Sequence, residues 1–524
     1  MKTSCSPRHN AAAIPRVEFR VRFAISELFR LLIILAVVGV SCRTAPAILY
    51  KPKQCKVLWD VWVVYEEGMY YLYHVSYKHS YWDGISMATS KDGLHWDEIG
   101  EVISKPEDAV WLGGCSSFWK LETLGPDGKP AKKYVTSFSE WRGPESTVGQ
   151  QTIFFAESTD MLQWKRLGKD YEFKPDPKWY KVNQGVESRW DGLAITPRPG
   201  GGYYGYLTAS PDQPDLPLAP DKSALAFGMA ESDDGLRWRA VAAPEIEWGE
   251  KIDEMTTTEE PARVFRAISV GDIEKIKGRY YLLNTTTGVL IAEKPTGPFR
   301  PQQKNTALIP ERTSTGNRYP RFFRSPDGLL YVHHDRARAA GSGVYLAPMK
   351  RALVDDEGIL RLGYWEGNDR LKAESVSLDL PEAPGAGPAP VMFRNEFDTA
   401  KGIILEGTIA VPQSGEVKPS GLAIECANSE VVGILVGPRG VTTIGAFKDD
   451  FSGFKRKGYF DRQAEFPPVA PFKLLLRHAF VEFYLDGLLI QCYPLPDSAS
   501  GKIGVVEGTG PGAIKKIAAW EMDF

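Results

Sequence analysis

The chain has 524 residues, 43% hydrophobic and 25% charged, the composition of an ordinary globular protein with room for two or three domains. Lys and Arg number 63 against 66 Asp and Glu, a formal net charge of -3. That balance supplies no field for nucleic acid or an anionic membrane surface, and neither is expected as a partner. Fourteen Trp and 22 Tyr provide flat amphipathic rings, either for sheet cores or for faces that stack on sugar rings.

Residues 1–46 read as a leader. An Arg-bearing stretch ending in "SELFR" runs into the apolar "LLIILAVVGVS" at 31–41, then Cys42 and the small residues of "RTAPA". This run is about half of the roughly 20 residues needed to span a bilayer, so it fits a secretory core segment and no membrane span is expected. Export follows: secreted, periplasmic or at the cell surface. Cys42 after "GVS" resembles a lipoprotein box, with Gly39 where Leu is usual, so lipidation at Cys42 and plain cleavage both stay open. Of the six Cys, two lie in the leader. Cys55 with Cys115 and Cys426 with Cys492 form disulfides in one reading and are buried thiols in the other.

From residue 50 on, one turn recurs: "SKDGLHW" at 90–96, "STDMLQW" at 158–164 and "SDDGLRW" at 232–238. Hairpin patterns accompany it, with period-two alternation around a Gly turn, at 60–75, 192–209, 272–286 and 321–334. "QTIFFAES" and "LAFGMAES" add third strands, and segments such as "EIGEVI" add fourth ones. A supersecondary unit repeated in this way predicts a five-bladed β-propeller over 50–372. The Asp and Gly then shape the turn between outer strands, and the Trp packs between adjacent blades. "LDLPEAPGAGPAP" marks a linker, set at 373–392. Short alternating strands at 393–524 predict a β-sandwich, so the fold class is all-β in two domains.

Acids at the starts of the inner strands converge on a propeller axis, and carboxylates there suit glycosidic bond cleavage. Asp60 opens "DVWVVYEEGMYYLY", which resembles the first blade of glycoside hydrolase family 43 and, more loosely, of family 32. The resemblance implies a five-bladed propeller acting on furanosides or pentosides, with Asp60 as nucleophile or base. The structural alternative is an Asp that caps a strand start. In "ESRWDGLAI" the families' Arg-Asp pair becomes Arg189 and Asp191 with Trp190 between them. Asp191 is then the acid that holds sugar hydroxyls; the bland alternative is a salt bridge with Arg189.

The families' catalytic Glu, counted back from Gly278, falls on Ser269. Candidates for the proton donor are therefore Glu274 first, with Asp272 and Glu260 behind it. Asp272 and Glu274, two apart on one strand, are expected on the same side of it. Trp59, Trp62 and Trp82 are candidates for stacking on sugars, and Trp111 in "WLGGCSS" resembles part of the family 32 loop bordering the sugar pocket. His334 and Arg336 in "HHDRAR" resemble family 43 residues of the fifth blade, although adjacent His face opposite ways and at most one looks inward.

The C-terminal "LLLRHAFVEFYLDGLLIQCY" resembles the family 32 sandwich, with Arg477, Val481, Glu482 and Tyr484 in its pattern. The resemblance implies an exported glycoside hydrolase that cleaves terminal fructosides or arabinofuranosides from an oligo- or polysaccharide. Two alternatives are a carbohydrate-binding propeller without catalysis and a structural propeller that holds partners. No cofactor is implied, and no residue cluster in the sequence calls for a metal.

Overall fold

The alternating segments become strands, and the only helices are short turns of 3₁₀ type at Lys169–Tyr171, Glu366–Leu371 and Pro438–Gly440 among the described residues. The structure is a computed structural model. It describes residues 50–55, 58–76, 82–114, 116–124, 129–142, 151–181, 189–210, 226–247, 269–285, 288–310, 317–337, 344–379, 381, 389–415, 418–508 and 512–523. The leader with Cys42, Cys115 and Glu260 lie outside them. Among the described residues no helix is long and apolar enough to cross a membrane.

Among the described residues five antiparallel strand groups follow one another along the chain, the last of them continuous with a sheet of the sandwich. The first runs Trp59–Glu66, Met69–Ser76, Gly84–Ser90 and Asp97–Ser104. In the second, Trp111–Gly113 and Phe118–Leu124 both pair with Pro130–Trp141, which leads to Gln151–Ser158 and Lys165–Arg166. The third holds Trp190–Pro197, Tyr203–Ala209, Ala226–Ser232 and Arg239–Val241, and the fourth Val270–Ile276, Arg279–Asn284, Val289–Ala292 and Arg300–Pro301. The fifth begins with Asn317–Arg324 and Leu330–Ala337 and ends with Lys350–Val354 and Leu360–Tyr364. Each sheet touches its successor, and Asn317–Arg324 of the fifth touches Trp59–Glu66 of the first. The all-β propeller expected from the turns is therefore the architecture observed.

The recurring turn is a hydrogen-bonded device. In each copy the Ser hydroxyl donates to the Asp carboxylate two residues on, at 3.0 Å for Ser90, 2.9 Å for Ser158 and 3.2 Å for Ser232. The same carboxylate oxygen accepts two successive amides, those of Leu94 and His95, Leu162 and Gln163, or Leu236 and Arg237, at 2.7–2.9 Å. Such Asx bonds satisfy amides that no ladder reaches. The Trp that ends each copy reaches a seam between sheets: Trp96 joins the first-to-fifth cluster, Trp164 the first-to-second and Trp238 the second-to-third. These seams are the core, with Tyr73, Phe138 and Phe154 in one and Phe155, Trp190 and Leu207 in the next.

The sandwich packs a sheet ordered Lys372–Val376, Ile514–Met522, Ile403–Ala410, Val469–Arg477, Phe480–Leu485 and Leu488–Pro494 on a second one built from Val391–Met392, Ala499–Glu507, Ser420–Cys426, Val431–Val436, Thr442–Phe447 and Phe454–Phe460. Leu405, Leu474 and Phe483 meet Leu422, Ile434 and Ile503 between them. The expected linker is shorter than 373–392, because its two ends are strands of the sandwich: Ser375 pairs with Trp520 and Val391 with Val505. The run of Pro and Gly in between masks the alternation at both ends. The sandwich is also bonded to the propeller, since Gly363 of the fifth sheet pairs with Leu488. Cys426 is a buried thiol, and the Cys492 thiol donates to Glu482, so the disulfide reading for this pair does not hold.

The second copy of the turn has Met161 where the others have Gly93 and Gly235, yet keeps a left-handed φ of 64°. That conformation costs a non-Gly residue about 1–2 kcal/mol. Full burial of the Met side chain in the first-to-second seam contributes about 1.5–3 kcal/mol and outweighs it. Met161→Gly is accordingly expected to destabilise the chain by about 1–2 kcal/mol in urea unfolding, although glycine is the better turn residue; a stabilised variant would mean that the turn, and not the seam, governs this position.

Candidate active site

Four inner strands share one irregularity near their start. The ladder register breaks between Trp59 and Trp62, between Asp191 and Leu193, between Val270 and Asp272, and between Arg318 and Arg321. A bulge of this kind bends the strand and re-aims the side chains beside it. Asp60 (φ 51°) and Tyr319 (φ 53°) take left-handed backbone at these breaks. For a bulky residue that conformation is a true outlier, and such outliers cluster at functional sites.

Asp60 is 8% exposed, and its Oδ1 is buried with no hydrogen-bond partner. The Gly114 amide donates to its carboxylate, and the Arg321 guanidinium lies 3.6 Å from Oδ1. Burial pushes the carboxyl up to about 7; Arg321 works against the rise, and the Asp191 carboxylate adds to it. Asp191 is better satisfied. Ser139 donates its hydroxyl to Oδ1 at 2.6 Å, and Arg189 bonds Oδ2 at 2.5 Å. Both acids flank Gly114, where a Cβ would stand 2.2 Å from Asp191 Oδ1 on a backbone with φ of +64°. Only glycine fits between the two carboxylates.

Around this pair stand aromatic rings. Tyr319 lies edge-on to Trp59 at 6.0 Å, and burial, then the charges of Asp60, Asp335 and Asp191, hold its phenol well above the ordinary value, so it stays a neutral donor. Trp82, Trp111 and Trp141 form a half-buried row at 5.2 and 5.7 Å, beside the start of the second sheet. Rings of this kind offer apolar faces to a sugar.

The remaining expected residues are placed differently. Trp62 is buried beneath the Arg321 guanidinium, 4.4 Å from its ring, and is part of a seam. Asp272 accepts the amides of Ile273 at 2.8 Å and Phe322 at 2.9 Å, and burial pushes it up to about 7. Glu274 accepts from Arg324 at 2.8 Å, and burial raises it as well. The two acids do share a side, as the strand period requires, but that side faces the fifth sheet. Both stitch a seam. His334 turns to the sandwich, where its ring lies within 4.8 Å of Glu482 and Cys492. Its neighbour His333 faces the other way and accepts the Val63 amide at 3.0 Å. The Arg336 backbone belongs to Leu330–Ala337, while its side chain lies outside the described residues, as does Glu260.

His334, Glu482 and Cys492 are a grouping of metal-ligand types, but the Glu482 carboxylate already binds the Lys350 ammonium and, at 2.6 Å, the Tyr484 hydroxyl. A second cation has no free oxygen there. Sequence reasoning missed Gly114, Ser139, Tyr319 and Arg321. An alignment of the four strand starts on their bulges would have set "RYPR" at 318–321 beside "WDVW" at 59–62 and singled out the last two.

No family model matches the chain, and no curated protein matches it. Solved structures do. A sucrose-6-phosphate hydrolase from Lactobacillus gasseri superposes with a TM-score of 0.63 at 15% identity, over 94% of this chain and 96% of that one. This is the fold of a family of glycoside hydrolases. A family 32 β-fructofuranosidase from Bombyx mori (TM-score 0.60, 14% identity, 96% and 99% covered) and an exo-inulinase from Aspergillus awamori (0.60, 10%, 91% and 98%) share it. The family 32 architecture expected from the sequence is met in the fold, along the propeller and the sandwich alike.

The high value of Asp60 has a consequence for stability. The folded chain holds this proton more tightly than the unfolded chain, whose carboxyl titrates near 3.8. The stability it contributes is fully present below about pH 4 and is lost as pH rises through about 7. Asp60→Asn removes this loss: the variant is expected to unfold at higher urea than the wild type at pH 8, by on the order of 4 kcal/mol, with little difference at pH 4. A gap that is equal at both pH values would contradict a buried, reluctantly charged Asp60.

Proposed function

We propose that the protein is a glycoside hydrolase that removes terminal furanoside sugars, fructosyl or arabinofuranosyl, from an oligo- or polysaccharide. The observation that carries this reading is the carboxylate pair on either side of Gly114, with Asp60 Oδ1 left bare and Asp191 fixed by Ser139 and Arg189. A bare, buried carboxylate oxygen is a poor structural element and a good nucleophile or base, since nothing in the protein competes for its lone pairs. Asp191, held from two sides, suits the binding of sugar hydroxyls. The half-buried indoles suit the apolar face of the ring.

The proton donor to the leaving oxygen comes, in this reading, from Glu260 of "TEEPAR", because Asp272 and Glu274 are engaged by seam partners. The same engagement favours the second reading, a propeller that binds sugar without cleaving it. Export rests on the leader: residues 1–46 are cleaved, or the chain is anchored through a lipid on Cys42. N-terminal sequencing of the protein recovered from its cell envelope or medium checks this, and a chain that retains Met1 would refute it.

A panel of aryl furanosides, aryl pyranosides, fructans and arabinans separates the readings. The wild type is expected to release one monosaccharide from one furanoside class, with kcat/KM falling below about pH 7 as Asp60 takes up its proton. Asp60→Asn is expected to lose a factor of about a thousand or more. Glu260→Gln should lose at least about a hundredfold on the polymer and far less on aryl glycosides, whose leaving group needs no proton, whereas Glu274→Gln should stay within about threefold of the wild type. Sugar binding without release in every assay would establish the binding propeller instead.

A further inference from the structure

Arg321 is a buried cation, 3% exposed, with no carboxylate in bonding contact among the described residues. Its Nη1 donates to the carbonyl of Asp60 at 3.3 Å and to that of Val61 at 2.9 Å. Its plane lies over the Trp62 ring at 4.4 Å and near the Tyr319 ring at 5.4 Å. Its Nη2 is 3.6 Å from Asp60 Oδ1, close enough to act on the charge without covering the oxygen. Four attachments from two sheets therefore fix one guanidinium beside the bare Asp60 oxygen. A salt bridge built for stability alone would close to bonding distance on both oxygens.

We propose that Arg321 is the positioning residue of Asp60: it pins the left-handed Asp60 peptide through two carbonyls and favours the charged carboxylate while leaving Oδ1 open to substrate. The inference rests on the reading of Asp60 as the acting carboxylate. The peptide part follows from geometry. Left-handed backbone at a non-Gly residue costs about 1–3 kcal/mol and persists only where its surroundings over-determine it, and bonds to the Asp60 carbonyl and to the next one along, that of Val61, restrain the chain as it leaves the strained residue.

The charge part follows from the neighbours. Asp60 is faced by Asp191 and Arg189 from the third sheet, by the Gly114 amide from the second, and by Tyr319 and Arg321 from the fifth. Arg189 is bonded to Asp191, so the two largely cancel at Asp60. Arg321 is the strongest of the charges that favour ionisation of Asp60. Asp272 and His333 also lie within its field, and it favours the charged form of the first and the neutral form of the second.

The test is a carboxyl-carbon NMR titration of the full chain labelled at Asp, in which the Asp60 signal is identified by its loss in Asp60→Asn. With Arg321→Gln the Asp60 midpoint is expected to move to higher pH by about one unit or more, a tenfold or greater fall in the ratio of ionised to protonated Asp60 at a given pH. An unmoved midpoint in a natively folded Arg321→Gln protein overturns the proposal. Arg321→Lys decides the matter if the glutamine variant does not fold. One ammonium cannot bond both carbonyls and face the carboxylate, so a smaller upward shift is expected, and none would overturn the proposal equally.

The titration needs no catalysis. Should the wild type hydrolyse nothing while the midpoint moves as expected, the glycosidase reading falls and the positioning role stands. Where the enzyme is active, the acid limb of kcat/KM is expected to move with the midpoint. A merely structural role would lower activity at every pH and leave the limb in place.

Discussion

Asp60 is a carboxylate that water cannot reach freely and that the protein declines to satisfy fully, on a peptide twisted into left-handed space. Each of these conditions is unfavourable by itself, the backbone by about 1–3 kcal/mol and the buried charge by several more. The surrounding residues make sense as the means of holding that state. Gly114 yields its side-chain volume to Asp191 and its amide to Asp60, Ser139 and Arg189 tie down the second acid, and Arg321 braces the first. Remove the strain and the site would relax into an ordinary strand end.

The ring can hold such a site because its stability lies elsewhere. Buried aromatic and aliphatic side chains fill the seams between successive sheets, and the turn Asp residues close the outer edges with three bonds each. The sandwich adds to this from the side of the fifth sheet. Arg462 donates to the carbonyls of Ala307 and Leu308, and Arg361 to those of Arg462 and Gln463, while Lys350 meets Glu482 inside the interface. A buried ion pair of that kind adds little net stability, but breaking it would strand a charge, so it fixes how the two domains meet.

Much of this was legible in the sequence and some was not, for one physical reason. Where strands are regular, the period-two rule held: it set the hairpins, the shared side of Asp272 and Glu274 and the opposed faces of His333 and His334. It could not say which side faces the axis, because four of the inner strands bulge near their start, and a bulge resets the alternation. Asp60 and Asp191 were legible because an acid at the start of an apolar strand is conspicuous. Glu274, Trp62 and His334 look equally suitable in sequence, and only the register turned them toward a seam or the sandwich. Arg321 was hidden because a guanidinium at the first position of the hairpin segment 321–334 reads as an exposed edge, and its role depends on a ring and two carbonyls more than 250 positions earlier.

The most direct test of the account is a crystal structure of Asp60→Asn soaked with a short fructan or arabinan. The account predicts a terminal furanose seated between position 60 and Asp191, its hydroxyls on Asp191 and Arg189 and its anomeric carbon facing the amide that replaces Oδ1. A sugar bound only on the sandwich, or a furanose at the propeller mouth whose anomeric carbon points away from position 60, would contradict it.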